Sequence, residues 1–353
     1  REKRPRVRKD TQQMDRYAAD RIRPFGTSVF TEMTRLSIEH QAINLGQGFP
    51  DFAGPDFVKE AAKAAIDANL NQYAPSHGIP RLRAAIAVSF EKRTGIAVDV
   101  ERDITVTSGA TECIYDSIQA FLNPGDEIIF FEPFYDSYYA SAVMAGAVPR
   151  PVRLHAPDWS FDEDELRRTF NDRTRLLLLN TPHNPTGKVF TRTELETIAS
   201  LCIEHDVVVL ADEVYERILF DGARHISIAT LPGMWERTLT INSTAKTFSM
   251  TGWKIGYAVG PANLNAALRA VHQFVTFASQ TPFQDAMASA LEAAEERGYY
   301  AELAAAYVSR RDAMKQAIED AGFAVLPAAG AYFLMADPCD REFERDMDFC
   351  FWL

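Results

Sequence analysis

Lys246 lies in the stretch INSTAKTFSM (241–250), directly behind the strand-like run Leu239-Thr240-Ile241 and among small and hydroxylated neighbours. A lysine ordinarily keeps its charge in water at the end of a flexible stem. Here it reads either as a surface lysine in a loop or as an amine placed to form a covalent bond, because a desolvated lysine loses its proton and becomes a nucleophile. Asp212 ends the apolar run VVVLAD. Burial there disfavours the carboxylate unless a cation pairs with it. A protonated ring nitrogen would serve; the alternative is a helix N-cap with Glu213 beside it. Asn184 in TPHNPTG and Tyr215 in ADEVY offer donors to a phenolate oxygen, although NPTG is also an ordinary turn. Tyr135 in EPFYDSY can stack on a planar ring or belong to the core. In SGATE, Gly109 lets the backbone approach closely, and the N–H groups of Ala110 and Thr111 would face an anion at the positive end of a helix. The same glycine also suits a tight strand-to-helix turn. Neither GxGxxG nor GxxxxGK[ST] occurs, which weakens dinucleotide and P-loop readings.

Taken together, these residues describe one ligand: a phosphate, an aromatic ring with a basic nitrogen, a phenol oxygen, and an aldehyde that meets an amine. That ligand is pyridoxal 5′-phosphate, with Lys246 as its Schiff-base lysine.

The elements that must position them alternate. ITVT (104–107), EIIFFEP (127–133), RLLLLN (175–180), VVVLAD (207–212), TLTIN (238–242) and KIGYAVG (254–260) read as strands, and AYFLMAD (331–337) as another. Helices are expected over 27–40, 55–70, 80–93 (with Pro80 near its start), 192–205, 262–275 and 283–322, and one more follows SGA to Leu122. The pattern predicts an α/β fold with a mostly parallel sheet covered by helices. Ser108, Gly109, Asn180, Asp212, Ser243 and Lys246 then gather at strand C-terminal ends, the edge where open α/β sheets bind ligands.

The chain has 353 residues, 47% apolar and 24% charged, with a net charge of −12. That balance suits a globular α/β protein and excludes nucleic-acid binding through a general basic field. Cys113, Cys202, Cys339 and Cys350 form no CxxC and lack a histidine at metal-ligand spacing, so the expectation is reduced thiols and no metal. With no membrane-length apolar run and no signal-peptide pattern, the expected location is cytoplasmic. REKRPRVRKD (1–10) carries six basic residues and reads as a solvated arm.

NLGQGFPDF, QYAPSHGIPRLR, SGATE, EPFYDSY, NTPHNPTGKVF, ADEVYE and STAKTFSMTGWKIGY occur in this order. In them the chain, from about Arg23 to its end, resembles the class I aminotransferases of fold type I, in the branch of kynurenine, glutamine K, methionine and succinyldiaminopimelate aminotransferases. The resemblance implies a seven-stranded, mostly parallel sheet sandwiched by helices plus a small α/β domain. It implies a flexible arm over 1–24, small-domain residues at 25–54, a large pyridoxal-phosphate domain at 55–285 and further small-domain residues at 286–353. Lys246 matches the cofactor-binding lysine that also shuttles the substrate proton, and Asp212 the partner of the ring nitrogen. Asn184 and Tyr215 match the phenolate donors, and Tyr135 the stacking aromatic. Gly109, Ala110, Thr111, Ser243 and Lys254 match phosphate binders; Gly46 and Asn180 match contacts to the substrate carboxylate. Tyr73 matches a residue that reaches the neighbouring subunit's cofactor, which implies a homodimer with shared active sites. The implied activity moves an amino group from an L-amino acid to a 2-oxo acid by a ping-pong mechanism. The rivals are a cysteine-conjugate β-lyase using the same lysine and a non-catalytic regulator binding the same cofactor.

The resemblance departs in three places. The family's carboxylate-clamping arginine follows the segment matched by AYFLMAD, and the sequence stops at DMDFCFWL before it, so a longer parent chain is expected. Ser28 and Ala278 stand near positions where kynurenine aminotransferases carry an aromatic residue and a histidine, which argues against a dedicated aromatic substrate.

Overall fold

Apolar runs too long for a one-sided strand become central strands covered on both faces, and here they build a seven-stranded sheet. The computed structural model describes residues 17–46, 48–338, 343 and 346–352. The expected arm at 1–10 and Cys339 lie outside the described residues. In chain order the elements are α1 (Val29–Glu39), α2 (Asp56–Asp67), α3 (Pro80–Thr94), β1 (Ile104–Thr107), α4 (Ala110–Phe121), β2 (Glu127–Glu132), α5 (Asp136–Met144), β3 (Val148–Arg153), α6 (Glu163–Thr169) and β4 (Thr174–Asn180). Then come α7 (Arg192–Glu204), β5 (Val208–Asp212), β6 (Thr238–Ser243), α8 (Thr244–Thr247), β7 (Gly256–Val259), α9 (Ala262–Val275), α10 (Thr281–Ala294), α11 (Tyr299–Asp320), β8 (Ala324–Val325), β9 (Ala336–Asp337) and α12 (Asp346–Trp352).

The strand order is β1-β7-β6-β5-β4-β2-β3, parallel except for β7, which runs antiparallel to both β1 and β6. Alternate residues of β4 serve opposite faces. Leu177 and Leu179 pack with Leu195 and Ile198 of α7, while Leu176 and Leu178 pack with Ile114 and Ile118 of α4 and Leu268 of α9. Fully burying each such side chain contributes about 1.5–3 kcal/mol. α2, α3 and α10 cover β1 and β7 through Val58, Ile86 and Met287.

Register brings the polar strand ends into line. Asn180 sits opposite Asp212, and Asp212 opposite Ile241. Gly256 of β7 pairs with both Thr107 and Ser243, so the ends of β1 and β6 meet across it. The turn at 327–331 is tied down at two places. Ala329 and Gly330 both donate to the Gly187 carbonyl at 2.8 and 2.9 Å, and Ala331 donates to Ile218 at 3.0 Å.

Two sequence expectations are corrected, and one strand that was not read is added. AYFLMAD is not a strand along its length: only Ala336–Asp337 pairs, with β8, because Ala331 adopts a left-handed φ of 59° and the aromatic residues after it pack around Tyr215. The helix read over 283–322 is two helices, separated at Gly298, which takes φ 68°. The strand β3, VPRPVR, went unread because it carries two prolines; it is an edge strand, where a missing N–H costs little. The short helices α5 and α6 also went unread. Cys113 and Cys202 are free and buried, as expected of reduced thiols. Among the described residues no helix is long and apolar enough to cross a membrane.

Candidate active site

At the C-terminal edge of the sheet lies a cavity of about 280 Å³, bordered by Gly109, Ala110, Thr111, Tyr135, Asn184, Asp212, Tyr215, Ser243, Lys246 and Lys254. The sequence reading named all of these. Phe30, Gly48, Tyr138, Thr251 and Phe333 also line it and were not assigned to the site. Tyr73, Gly46 and Asn180 are not among the lining residues. Tyr73 is 85% exposed and meets Phe277 edge-on at 5.5 Å. Asn180 is buried in a structural role: its Nδ2 donates to the Asp212 carbonyl at 3.0 Å, and its Oδ1 accepts from Asn184 N at 2.7 Å. Gly46 donates its N–H to Asn44 Oδ1 at 3.0 Å.

Lys246 sits on α8, a single turn capped by the Ser243 hydroxyl, which accepts from Ala245 N at 3.1 Å. The amine donates to Tyr332 Oη at 2.6 Å and to the Gly48 carbonyl at 3.2 Å, and Tyr332 in turn donates to Gly48 O at 2.6 Å. Burial lowers this amine to about 8; Lys254 adds to the lowering, and Asp212 opposes it. The amine is therefore substantially neutral, and nucleophilic, in mildly alkaline solution.

Asp212 and Glu213 are neighbours with opposite environments. Glu213 is fully buried and ion-paired, with His225 at 3.0 Å and Arg93 at 3.8 Å. Asp212 has no ion pair among the described residues. It accepts from Tyr138 Oη at 2.6 Å and from Val214 N at 3.3 Å. Burial pushes its carboxyl up to about 6, against these two hydrogen bonds. A buried carboxylate with hydrogen bonds but no counter-charge suits a cationic ring nitrogen.

The other end of the cavity suits an anion. Gly109 caps α4 at φ 84° with no side-chain cap bond, leaving the first helical N–H groups uncapped by any side chain. A Cβ at Gly109 would come within 3.3 Å of Lys254 Nζ, and one at Gly256 would lie 2.4 Å from Ala110 N. Glycines thus bring a helix N-terminus and a lysine together. Lys246 and Lys254 both border the cavity, and neither has an ion pair among the described residues. Two ammonium groups, a helix N-terminus and one unpaired carboxylate match pyridoxal phosphate, with its phosphate, aldehyde and basic nitrogen.

Residues 40–350 match the family Aminotransferase class I and II. The chain belongs to the class I and II aminotransferases. It is 44% identical, over 94% of its length and 83% of the relative's, to a protein of Mycobacterium tuberculosis named "Probable N-succinyldiaminopimelate aminotransferase DapC". It is 41% identical to the methionine aminotransferase of Escherichia coli, over 93% of this chain and 84% of that one. The solved structure of the Mycobacterium tuberculosis N-succinyldiaminopimelate aminotransferase superposes with a TM-score of 0.90, covering 94% of this chain and 87% of that one. The aminotransferase is thus a fold type I, pyridoxal-phosphate-dependent transaminase, transferring an amino group between an amino acid and a 2-oxo acid.

Tyr138, Thr251 and Tyr332 are polar groups that sequence reasoning missed. Tyr138 follows Tyr135, the residue that caps α5, by three positions, and the two rings meet edge-on at 5.7 Å; that nearness in sequence was a usable signal. Tyr332 had no local signal, since its partner Lys246 is far away in sequence.

Proposed function

We propose that this aminotransferase acts on L-amino acids by a ping-pong cycle in which one 2-oxo acid leaves before the second enters. The observation that carries the reading is that a partly buried Lys246 of lowered pKa and a buried Asp212 without a counter-charge border one cavity. Bound pyridoxal phosphate supplies an electron sink that stabilises negative charge at the substrate Cα. Asp212 would hold the protonated ring nitrogen, and Tyr215 and Asn184 the phenolate oxygen. Gly109, Ala110, Thr111, Ser243 and Lys254 would hold the phosphate, and Tyr135 would cover the ring. Lys246, as a neutral amine, would take the substrate Cα proton and return it, as general acid–base groups with pKa near the working pH do. Phe30 and Phe333 line the same cavity, and Tyr332 holds the amine by its hydroxyl.

The proposed assembly is a homodimer with Tyr73 serving the partner's site; its near-full exposure beside exposed Phe274 and Phe277 supports this. Gly46 and Asn180 remain the proposed contacts of the substrate carboxylate. The division into 25–54, 55–285 and 286–353 is likewise proposed; Leu303 and Tyr307 of α11 pack with Tyr215 and Phe220 where the last two parts meet.

The test is a panel of amino donors, including methionine, kynurenine and N-succinyl-diaminopimelate, with 2-oxo acids as acceptors. Acceptor-dependent formation of the donor's 2-oxo acid, with parallel-line initial rates, supports the cycle. Release of pyruvate and ammonia without an acceptor would replace it by β-elimination.

A further inference from the structure

Immediately after the cavity-lining residues Gly109, Ala110 and Thr111, α4 continues with Glu112 and Asp116, and α9 brings His272 against them. His272 Nδ1 lies 2.9 Å from Glu112 Oε1, and Nε2 lies 2.7 Å from the Ser76 carbonyl. A backbone carbonyl can only accept, so Nε2 carries a proton. Nδ1 faces a carboxylate whose other oxygen, Oε2, accepts a short hydrogen bond from Ser108 N. Against the burial that would raise it, His272 and the Ser108 amide hold the Glu112 carboxyl below its usual range, so it is ionised and Nδ1 carries a proton too. Asp116 Oδ2 stands 3.6 Å from Nδ1, with a fully buried side chain that makes no hydrogen bond of its own. Glu112 and Asp116 on α4 are the charged groups facing the imidazole among the described residues. The 72–79 loop offers it the Ser76 carbonyl. Burial alone would lower the imidazole, but Asp116 and Glu112 outweigh it and hold the ring at about 9.

We propose that His272 is a positioning residue for the phosphate cup. As an imidazolium it ties the Ser76 carbonyl to the Glu112 carboxylate, whose second oxygen holds the Ser108 amide. The loop carrying Tyr73 and the Ser108–Thr111 turn then keep a fixed separation. The inference rests on the reading of Gly109–Thr111 as the phosphate cup. His272 touches neither substrate nor cofactor, and its effect passes through Glu112.

The experiment uses pyridoxamine 5′-phosphate, which forms no bond with Lys246, and measures its Kd against pH for wild-type protein, His272→Gln and Glu112→Gln. Losing a charge-assisted bond that orients the cup should weaken His272→Gln binding about tenfold at pH 7.5. The wild-type Kd should rise as pH passes about 9, the value at which the brace loses its proton. The variant's profile should lack that rise. Glu112→Gln keeps an acceptor for Ser108 but not the ion pair, so the imidazole's own NMR titration should move to lower pH. A His272→Gln Kd within about twofold of wild type, or a wild-type imidazole midpoint at or below the ordinary ~6.5, would overturn the brace. So would a stoichiometric divalent cation that is present in wild-type protein and lost with His272, since Nδ1 would then hold metal in place of a proton. Wild-type protein that binds no pyridoxamine 5′-phosphate would sink the cup itself, a failure distinguishable from that of the brace alone.

Discussion

The Tyr138 hydroxyl donates a 2.6 Å hydrogen bond to Asp212 Oδ2, and this bond works against the burial that pushes the Asp212 carboxyl up to about 6. Removing it with Tyr138→Phe disfavours the ionised form by about 1–2 kcal/mol. The expected result is a higher carboxyl midpoint in the cofactor-free protein, read by NMR, and an acid limb of the pH–rate profile displaced to higher pH. An unmoved midpoint would show that the bond does not tune Asp212.

Lys246→Ala should abolish covalent cofactor attachment and lower the transamination rate by at least about 10²-fold, the smaller end of general acid–base effects. Folding should not suffer. Lys246 has a folded pKa below its unfolded value, so its cost to stability is present below about 8 and relieved as pH rises towards the unfolded value. Thermal melts at pH 7 should show the variant unchanged or higher, with the cofactor lost on dialysis.

The neighbours Asp212 and Glu213 should separate function from stability. Asp212→Asn removes an unpaired charge, so the apo protein should melt no lower, while cofactor affinity falls roughly 10–100-fold. Glu213→Gln takes the carboxylate away from His225 and leaves Arg93 with Glu216 alone, so this variant should lose stability, by about 1–3 kcal/mol, with cofactor affinity little changed. Denaturant midpoints and cofactor titrations on both variants check the split.

Gly256→Ala should be more disruptive than its size suggests. The new Cβ would meet Ala110 N at 2.4 Å and Gly109 C at 2.4 Å, both backbone. The α4 N-terminus would have to withdraw, at a cost of about 1–3 kcal/mol. Weaker binding of inorganic phosphate together with a lower melting temperature is the expected pair of readings.

His272 gives the fold its own alkaline limit. Its folded pKa of about 9 lies above its unfolded value, so the stability it contributes is complete below about 6.5 and disappears as pH rises through 9. The loss amounts to at most about 3 kcal/mol. Wild-type melts should fall between pH 7.5 and 9.5 more steeply than those of His272→Gln.

What the sequence disclosed followed from how local each signal is. RLLLLN and VVVLAD are continuous apolar runs, so their strands and the polar residues ending them were legible, and Asp212 and Lys246 with them. The βα alternation also gave the sheet edge. The direction of β7 was not read, because strand direction depends on how the chain returns, not on strand composition. The prolines that hid β3 disqualify only central strands, and an edge position cannot be read from one strand alone. Tyr332 and His272 act through partners distant in sequence, Lys246 in one case and Glu112 and Ser76 in the other, so no spacing announces them.

The turn at 327–331 is bonded to Gly187 and Ile218 and lies just before Tyr332. It therefore belongs mechanically to the sheet, although it follows α11 in sequence. Beyond Tyr332, Met335 packs against the core under the sheet and β9 pairs with β8, so the segment is held on both sides of the phenol. The phenol that touches the lysine is thus anchored like a wall of the site, although its chain segment comes from the far end of the sequence.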